Sequence, residues 1–303
     1  MTELSRIVLE SYQVRKTKKQ KQAFAAFLQN YIPQLQVQES GLFKCRNLVI
    51  GDPAAARVIL GAHYDTCPQL PFPNFITPKK PLLSVLYSVL MVLPYLIVIL
   101  LSKQLLNLLH LDFWTEYWIS LAAYIFLLFL ILDGPANPNT ANDNTSGVIT
   151  LLEIYQALSP EQRENVCFVL FDNEEKGLLG SAQFRKKYKK EIKNALMINF
   201  DCVSDGDHFL LAVSKPAKEK YGEALESSFP CTDTKQVLQE NLKKVYYPSD
   251  QAGFPMAVAV ASLKYKKPFG YYMDRIHTKR DTVFEEANID YLKEHTIQLI
   301  ESI

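Results

Sequence analysis

The chain lacks an excess of either charge. Of its 303 residues, 33 are Lys or Arg and 32 are Asp or Glu, a formal net charge of +1. So balanced a surface has no field with which to gather a polyanion, and nucleic acid is not an expected partner. Paired cysteines are lacking too. The five present, Cys45, Cys67, Cys167, Cys202 and Cys231, are odd in number and scattered. That argues against a disulfide framework and suits a reducing compartment. The opening "MTELSRIVLESYQVRKTKKQKQ" has no apolar run of the kind that begins a secretory signal. It reads instead as an amphipathic helix with a basic exposed face. There is no internal repeat and no low-complexity linker.

Apolar residues, by contrast, make up 48% of the chain, and they are unevenly spread. Residues 82–101, "LLSVLYSVLMVLPYLIVILL", carry no charge. As a helix they would span about 30 Å, one hydrocarbon core. A second uncharged run, "YWISLAAYIFLLFLIL", covers 117–132, and Trp114, Tyr117 and Trp118 suit an interfacial belt at its start. Pro94 can kink a membrane helix without forbidding it. The pair reads as a two-helix membrane hairpin, residues 80–133, inserted into a domain formed by 1–79 and 134–303. A buried helical pair under a lid, or a dimerisation hairpin, is the alternative. Uncharged runs of this length are rare in soluble cores.

Outside the hairpin, short apolar runs alternate with helical patterns. "RVILGAHY" (57–64), "NVCFVLFD" (165–172), "ALMINFD" (195–201) and "MAVAVASL" (256–263) read as strands. "SGVITLLEIYQAL" (146–158), "KGLLGSAQFRKKY" (176–188) and "ANIDYLKEHTIQLIESI" (287–303) read as helices. The alternation predicts an α/β fold, a mostly parallel central sheet flanked by helices. In such sheets sites form beyond the carboxyl ends of strands. Three of the strands end in an acid or a histidine.

Those ends hold His63 and Asp65 in "GAHYDT", Glu174 and Glu175 after "VCFVLFDN", and Asp201 in "MINFD". Asp143 in "ANDNTSG" and His277 in "RIHTKRDT" complete the set. Imidazoles mixed with carboxylates suit zinc. One carboxylate bridging two metals would leave each metal one His and one further carboxylate, an arrangement that activates water and polarises a carbonyl together. The adjacent glutamates then make sense. One can ligate metal while its neighbour, its proton affinity raised by the surrounding acids, takes a proton. Each residue alone has a plainer reading: acids favour a helix N-terminus, and Asn-Asp pairs favour turns.

Taken in order, "HYD", "DNTSG", "EE", "NFD" and "HTKRDT" resemble the motifs of metallopeptidase family 28, the co-catalytic zinc aminopeptidases and related carboxypeptidases. "SDQAGFP" (249–255) resembles the family's Ser-Asp-x-x-x-Phe segment. The resemblance covers about 57–65 and 140–285. It implies two zinc ions per chain, one held by His63 and Asp201, the other by Glu175 and His277, with Asp143 bridging. Glu174 would be the general base and Asp65 would orient His63. A cis peptide at Asp143–Asn144 is also implied. The chain departs from the family pattern in two places. Ile276 stands where many aminopeptidases of the family have Tyr, leaving Tyr271, Tyr272 or Tyr246 as substitutes for stabilising the tetrahedral intermediate. The insertion 66–142 replaces what is usually a short loop. Cys202, next to Asp201, is expected to be a core residue.

The function so implied is a membrane-anchored zinc exopeptidase, an aminopeptidase first, acting on peptides and in contact with the lipid bilayer. A one-zinc glutaminyl-cyclase-like aminoacyltransferase and an inactive receptor-like relative are the alternatives. Lys79 and Lys80 flank the first span while Lys103 alone lies in the link, a bias that places the catalytic domain in the cytoplasm. Because the hairpin leaves right after "HYDTCP" and returns just before "ANDNTSG", the site is expected near the bilayer surface, open to apolar peptides.

Overall fold

The computed structural model describes residues 1–41 and 44–303. The N-terminal segment is not the single helix expected. It forms α1 (Glu3–Ser11) and α2 (Lys18–Tyr31), the second opened by a capping box between Thr17 and Gln20. Arg15, placed by sequence on an exposed basic face, lies in the break between them and is fully buried. An antiparallel pair follows, β1 (Gln36–Ser40) and β2 (Cys45–Ile50), and then β3 (Val58–His63).

The insertion is two long helices, α3 (Pro81–Leu108) and α4 (Phe113–Asp133). Each runs beyond its uncharged stretch, so the link shrinks to residues 109–112. Asp112 caps α4 by accepting from the Trp114 and Thr115 amides at 3.1 and 3.2 Å. Ser84 is the one buried residue in α3, and α4 has none.

The chain re-enters the domain through a kinked segment, 141–146, which leads into α5 (Gly147–Ala157). Then come α6 (Pro160–Arg163), β4 (Val166–Phe171), α7 (Leu179–Lys187), β5 (Leu196–Phe200), β6 (His208–Val213), α8 (Lys215–Ser228), β7 (Gln236–Asn241), β8 (Ala257–Lys266), β9 (Gly270–Tyr272) and α9 (Glu286–Ser302).

The strands form one mixed sheet ordered β1-β2-β4-β3-β5-β8-β6-β7, with β9 paired to β8. The parallel arrangement expected occupies its centre, β4-β3-β5-β8. The β1–β2, β2–β4, β6–β8 and β8–β9 pairings are antiparallel. Covered on both faces, β3, β4 and β5 are buried throughout, which is why they read as unbroken apolar runs. Alternation still divides them. Val58, Leu60, Val166 and Phe168 join the core under α1, α2, α5, α8 and α9, while Ile59, Cys167 and Val169 join the core beside α7. Gly147 lets α5 start against the sheet: a Cβ there would lie 2.3 Å from the Phe200 carbonyl oxygen.

Candidate metal centre

Because β3, β4 and β5 are parallel neighbours, their carboxyl ends open at the same edge. His63 is the last residue of β3, Glu174 and Glu175 follow β4, and Asp201 follows β5. The segment carrying Asp143 and the loop carrying His277 complete the ring. These six side chains line one cavity of about 310 Å³ together with Tyr247, Met273, Ile276 and Cys202.

Asp143 is central. One of its carboxylate oxygens lies 3.3 Å from His63 Nε2 and the other 3.1 Å from His277 Nε2. His63 Nε2 also lies 3.6 Å from Asp201, and His277 Nε2 lies 3.4 Å from Glu175. Zinc bonds N and O donors at about 2.0–2.2 Å, so the edges of its tetrahedron are about 3.3–3.6 Å. Three of the four spacings observed, 3.3, 3.6 and 3.4 Å, fall on that edge, and the fourth, 3.1 Å, is slightly shorter. Asp201 Oδ1 and Glu175 Oε1 are buried without a hydrogen-bond partner, which interior oxygens seldom are. The donor set therefore fits zinc. Cys67, which the sequence reading passed over, brings its sulfur within 4.8 Å of donor atoms of both Glu175 and His277. Only its place after "HYDT" could have signalled it.

The loops that carry these residues are pinned by hydrogen bonds. The peptide Asp143–Asn144 is cis, as the resemblance implies. Asp281, not singled out from the sequence, accepts from the Asn142 and Asp143 amides at 2.8 and 3.0 Å. Asn144 donates to the Phe200 carbonyl at 2.9 Å and accepts from the Cys202 amide at 3.2 Å. Asn173, Leu178, Cys202 and His277 all have positive φ, between 55° and 63°. Left-handed backbone at non-glycine residues persists only where its surroundings impose it, and it gathers at functional sites.

Asp65 departs from its expected part. The His63 ring is oriented by the Asp65 backbone carbonyl, which accepts from Nδ1 at 3.0 Å, leaving Nε2 facing Asp143 and Asp201. The Asp65 carboxylate lies 3.8 Å from that ring and instead accepts from the Glu174 and Glu175 amides at 2.9 and 3.2 Å. Tyr246, Tyr271 and Tyr272 are not in the cavity wall; Tyr247 is, with its hydroxyl donating to the Asp201 carbonyl at 2.8 Å. Cys202 lies in a core cluster as expected, but it sits past the end of β5, so its placement comes from the turn rather than from strand alternation.

The electrostatics follow from burial and crowding. Burial, with Glu175, Asp250 and Asp201 nearby, pushes Glu174 well above the usual carboxyl range. Burial, with Asp143 close, lifts Glu175 to about 8. Burial would raise Asp143 as well, but the two imidazoles outweigh it and hold that carboxyl far down. His277 rises to about 9, because Glu175 and Asp143 overcome its burial.

Among solved structures, the chain is similar to the aminopeptidase LapA of Legionella pneumophila, at 14% identity over 99% of this chain and 67% of that one, with a TM-score of 0.58. It is similar also to LapB of the same organism, at 13% identity over 99% and 70% of the two chains, with a TM-score of 0.54. At such identities the likeness concerns the fold. The model of peptidase family M28 matches residues 105–301, nearly two thirds of the chain. That span includes Asp143, Glu174, Glu175, Asp201 and His277; His63 and Asp65 precede it. The chain belongs to peptidase family M28 and is a zinc metallopeptidase.

Proposed function

We propose that the protein is a membrane-anchored aminopeptidase that holds two zinc ions, His63 and Asp201 on one, Glu175 and His277 on the other, and Asp143 shared. The observation that carries this reading is the placing of the two Asp143 oxygens, one against each imidazole, at 3.3 and 3.1 Å. When bound, such a pair supplies Lewis acidity at the peptide carbonyl and lowers the proton affinity of water. The chain's own residues do the rest. Glu174 is the general base, and its burial, with acids around it, keeps its carboxyl proton-retentive, so it can take a proton and return it to the departing amine. The Asp65 carboxylate fixes both glutamates through their amides. Tyr247 is the phenol in the cavity wall, and its single O–H, donated to the Asp201 carbonyl, braces the backbone of that residue.

Anchoring rests on α3 and α4. Over their most apolar windows they have mean hydropathies of 2.5 and 1.8, with only 6% and 0% of those windows buried. A core helix of a soluble protein would be covered; these expose Leu, Ile, Val, Phe and Trp along their length. A contiguous apolar face of that size is stable against lipid and not against water. In this reading residues 1–79 and 134–303 are the catalytic domain, 80–133 is the anchor, and the domain faces the cytoplasm.

The test is metal content together with turnover on the detergent-purified full chain. Two zinc ions per chain are expected, with hydrolysis of aminoacyl reporters. Glu174→Gln should keep both ions and lose roughly 10²–10⁴-fold in kcat, whereas Glu175→Gln should lose metal. Reversed phenotypes would exchange the two roles. A single ion with transfer in place of hydrolysis would favour a cyclase-like enzyme.

A further inference from the structure

A second cavity, of about 380 Å³, lies between the hairpin and the domain. Its walls are Leu70 and Phe72 from the loop after β3, Tyr87, Met91 and Tyr95 from α3, and Ile131 from α4. Positions 87, 91 and 95 recur every fourth residue, so they form one stripe, and they are half-buried while Val85, Leu86, Val89 and Leu90 face outward. No Asp, Glu, Lys or Arg lines this cavity. It is not separate from the metal centre: Asn74 and His277 belong to the walls of both cavities.

Hydrogen bonds make the two one unit. The Leu70 amide donates to the His277 carbonyl at 2.9 Å and the Asn74 amide to the Ile276 carbonyl at 3.2 Å. On the other side, Tyr87 Oη donates to the Pro73 carbonyl at 2.9 Å, and the Thr77 amide donates to Ser84 Oγ at 2.8 Å. The loop 70–77 is thus joined both to α3 and to the chain that presents His277.

We propose that this cavity is a substrate subsite, which receives a large apolar side chain of the peptide next to the bond being cut, so that the hairpin sets specificity as well as location. The proposal rests on the peptidase reading above. Its volume lies within the range of about 300–1,000 Å³ usual for ligand pockets. An uncharged wall excludes Lys, Arg, Asp and Glu side chains, which would lose their water without gaining a partner. The shared wall at His277 and Asn74 favours a peptide over a lipid tail. A side chain seated here keeps its own backbone, and with it the peptide bond that a peptidase cuts, at the metal centre.

The experiment uses the full chain in nanodiscs and reads two things. The first is the ratio of kcat/KM for peptides beginning with Leu or Phe to that for peptides beginning with Ala, expected at roughly 10–200. Met91→Trp and Ile131→Trp, each of which narrows the cavity, should lower that ratio at least tenfold. The second is photocross-linking by a leucine-rich peptide whose apolar side chain carries a diazirine, mapped by mass spectrometry. Adducts on Tyr87, Met91, Tyr95 or Ile131 are expected. If the ratio is unmoved in both variants, or adducts fall elsewhere, the subsite is wrong. If a diazirine-bearing lipid labels these residues and the peptide does not displace it, the occupant is lipid and the proposal fails. Cleavage without these adducts leaves the peptidase reading standing and removes the subsite. Adducts with no cleavage of any peptide would do the reverse.

Discussion

Asp65 is two residues from His63, yet its carboxylate serves the end of the neighbouring strand, receiving the Glu174 and Glu175 amides while its backbone carbonyl holds the imidazole. One residue thus couples two strand ends, and the crowding that results has a consequence for pH. Without metal, Glu175 has its pKa raised to about 8 from an ordinary 4.5. Its stabilising contribution is full below 4.5 and lost as pH rises through about 8. His277, raised to about 9 from 6.5, contributes fully below 6.5 and loses that as pH rises through about 9. Asp281, raised by burial and by Asp143 to about 7, acts in the same sense. Asp143, held down, contributes above 3.8 and so adds no slope in this window. The unfolding temperature of chelator-treated protein should therefore fall between about pH 5 and pH 9. Zinc should flatten that slope, since a dication favours ionised Glu and neutral His. Thermal scans in detergent at fixed ionic strength check this, and stability rising with pH in the metal-free protein would contradict it.

Among the elements, the connection between α1 and α2 has the most unexpected task. Fully buried Arg15 donates from Nε to the Tyr64 carbonyl at 2.6 Å and from Nη1 to Thr145 Oγ1 at 3.1 Å and the Tyr12 carbonyl. Its guanidinium also lies 5.2 Å from the centre of the Phe24 ring. Next to it, Thr140 Oγ1 donates to the Gln13 carbonyl at 2.6 Å. The N-terminal segment thereby braces both the end of β3 and the segment bearing Asp143. Arg15→Met keeps the apolar stem but leaves the buried Tyr64 carbonyl and the half-buried Tyr12 carbonyl without this donor. It should cost about 3 kcal/mol, read as a lowered denaturation midpoint, and should weaken zinc retention as well. Lys gathers its donors on a single nitrogen in place of a planar fork and should not restore the loss.

At the scale of the whole molecule, the candidate metal centre and the hairpin are joined by the same loop, 70–77, so the proposed function links location to activity. The membrane reading predicts that the protein stays in the membrane fraction after alkaline carbonate treatment. Release into the supernatant would refute it. Sidedness has its own probe in the native sequence. Cys231 is exposed, while Cys45, Cys67, Cys167 and Cys202 are buried. With the domain in the cytoplasm, a membrane-impermeant maleimide should label Cys231 only after the cells are permeabilised. Labelling of intact cells would put the domain outside.

The strands ending at His63, Phe171 and Phe200, the helices α5, α7 and α9, and the two long apolar helices were legible in the sequence, because burial on two faces, helical periodicity and long uncharged runs each leave a local pattern. The six side chains that gather in the cavity of the candidate metal centre were legible for a similar reason: His63, Asp143, Glu174, Glu175, Asp201 and His277 each lie in a short motif of fixed spacing. What the sequence could not decide was anything set by the order in which distant segments meet. The antiparallel flanks of the sheet depend on which strands pair, and no single strand encodes its neighbour. Buried Arg15, the amide-holding carboxylates of Asp65 and Asp281, Tyr247 in place of Tyr246, and Cys67 beside Glu175 are all long-range contacts. The joining of the metal centre to the apolar cavity has the same origin, because the loop 70–77 touches α3 on one side and the His277 chain on the other only once the fold has closed.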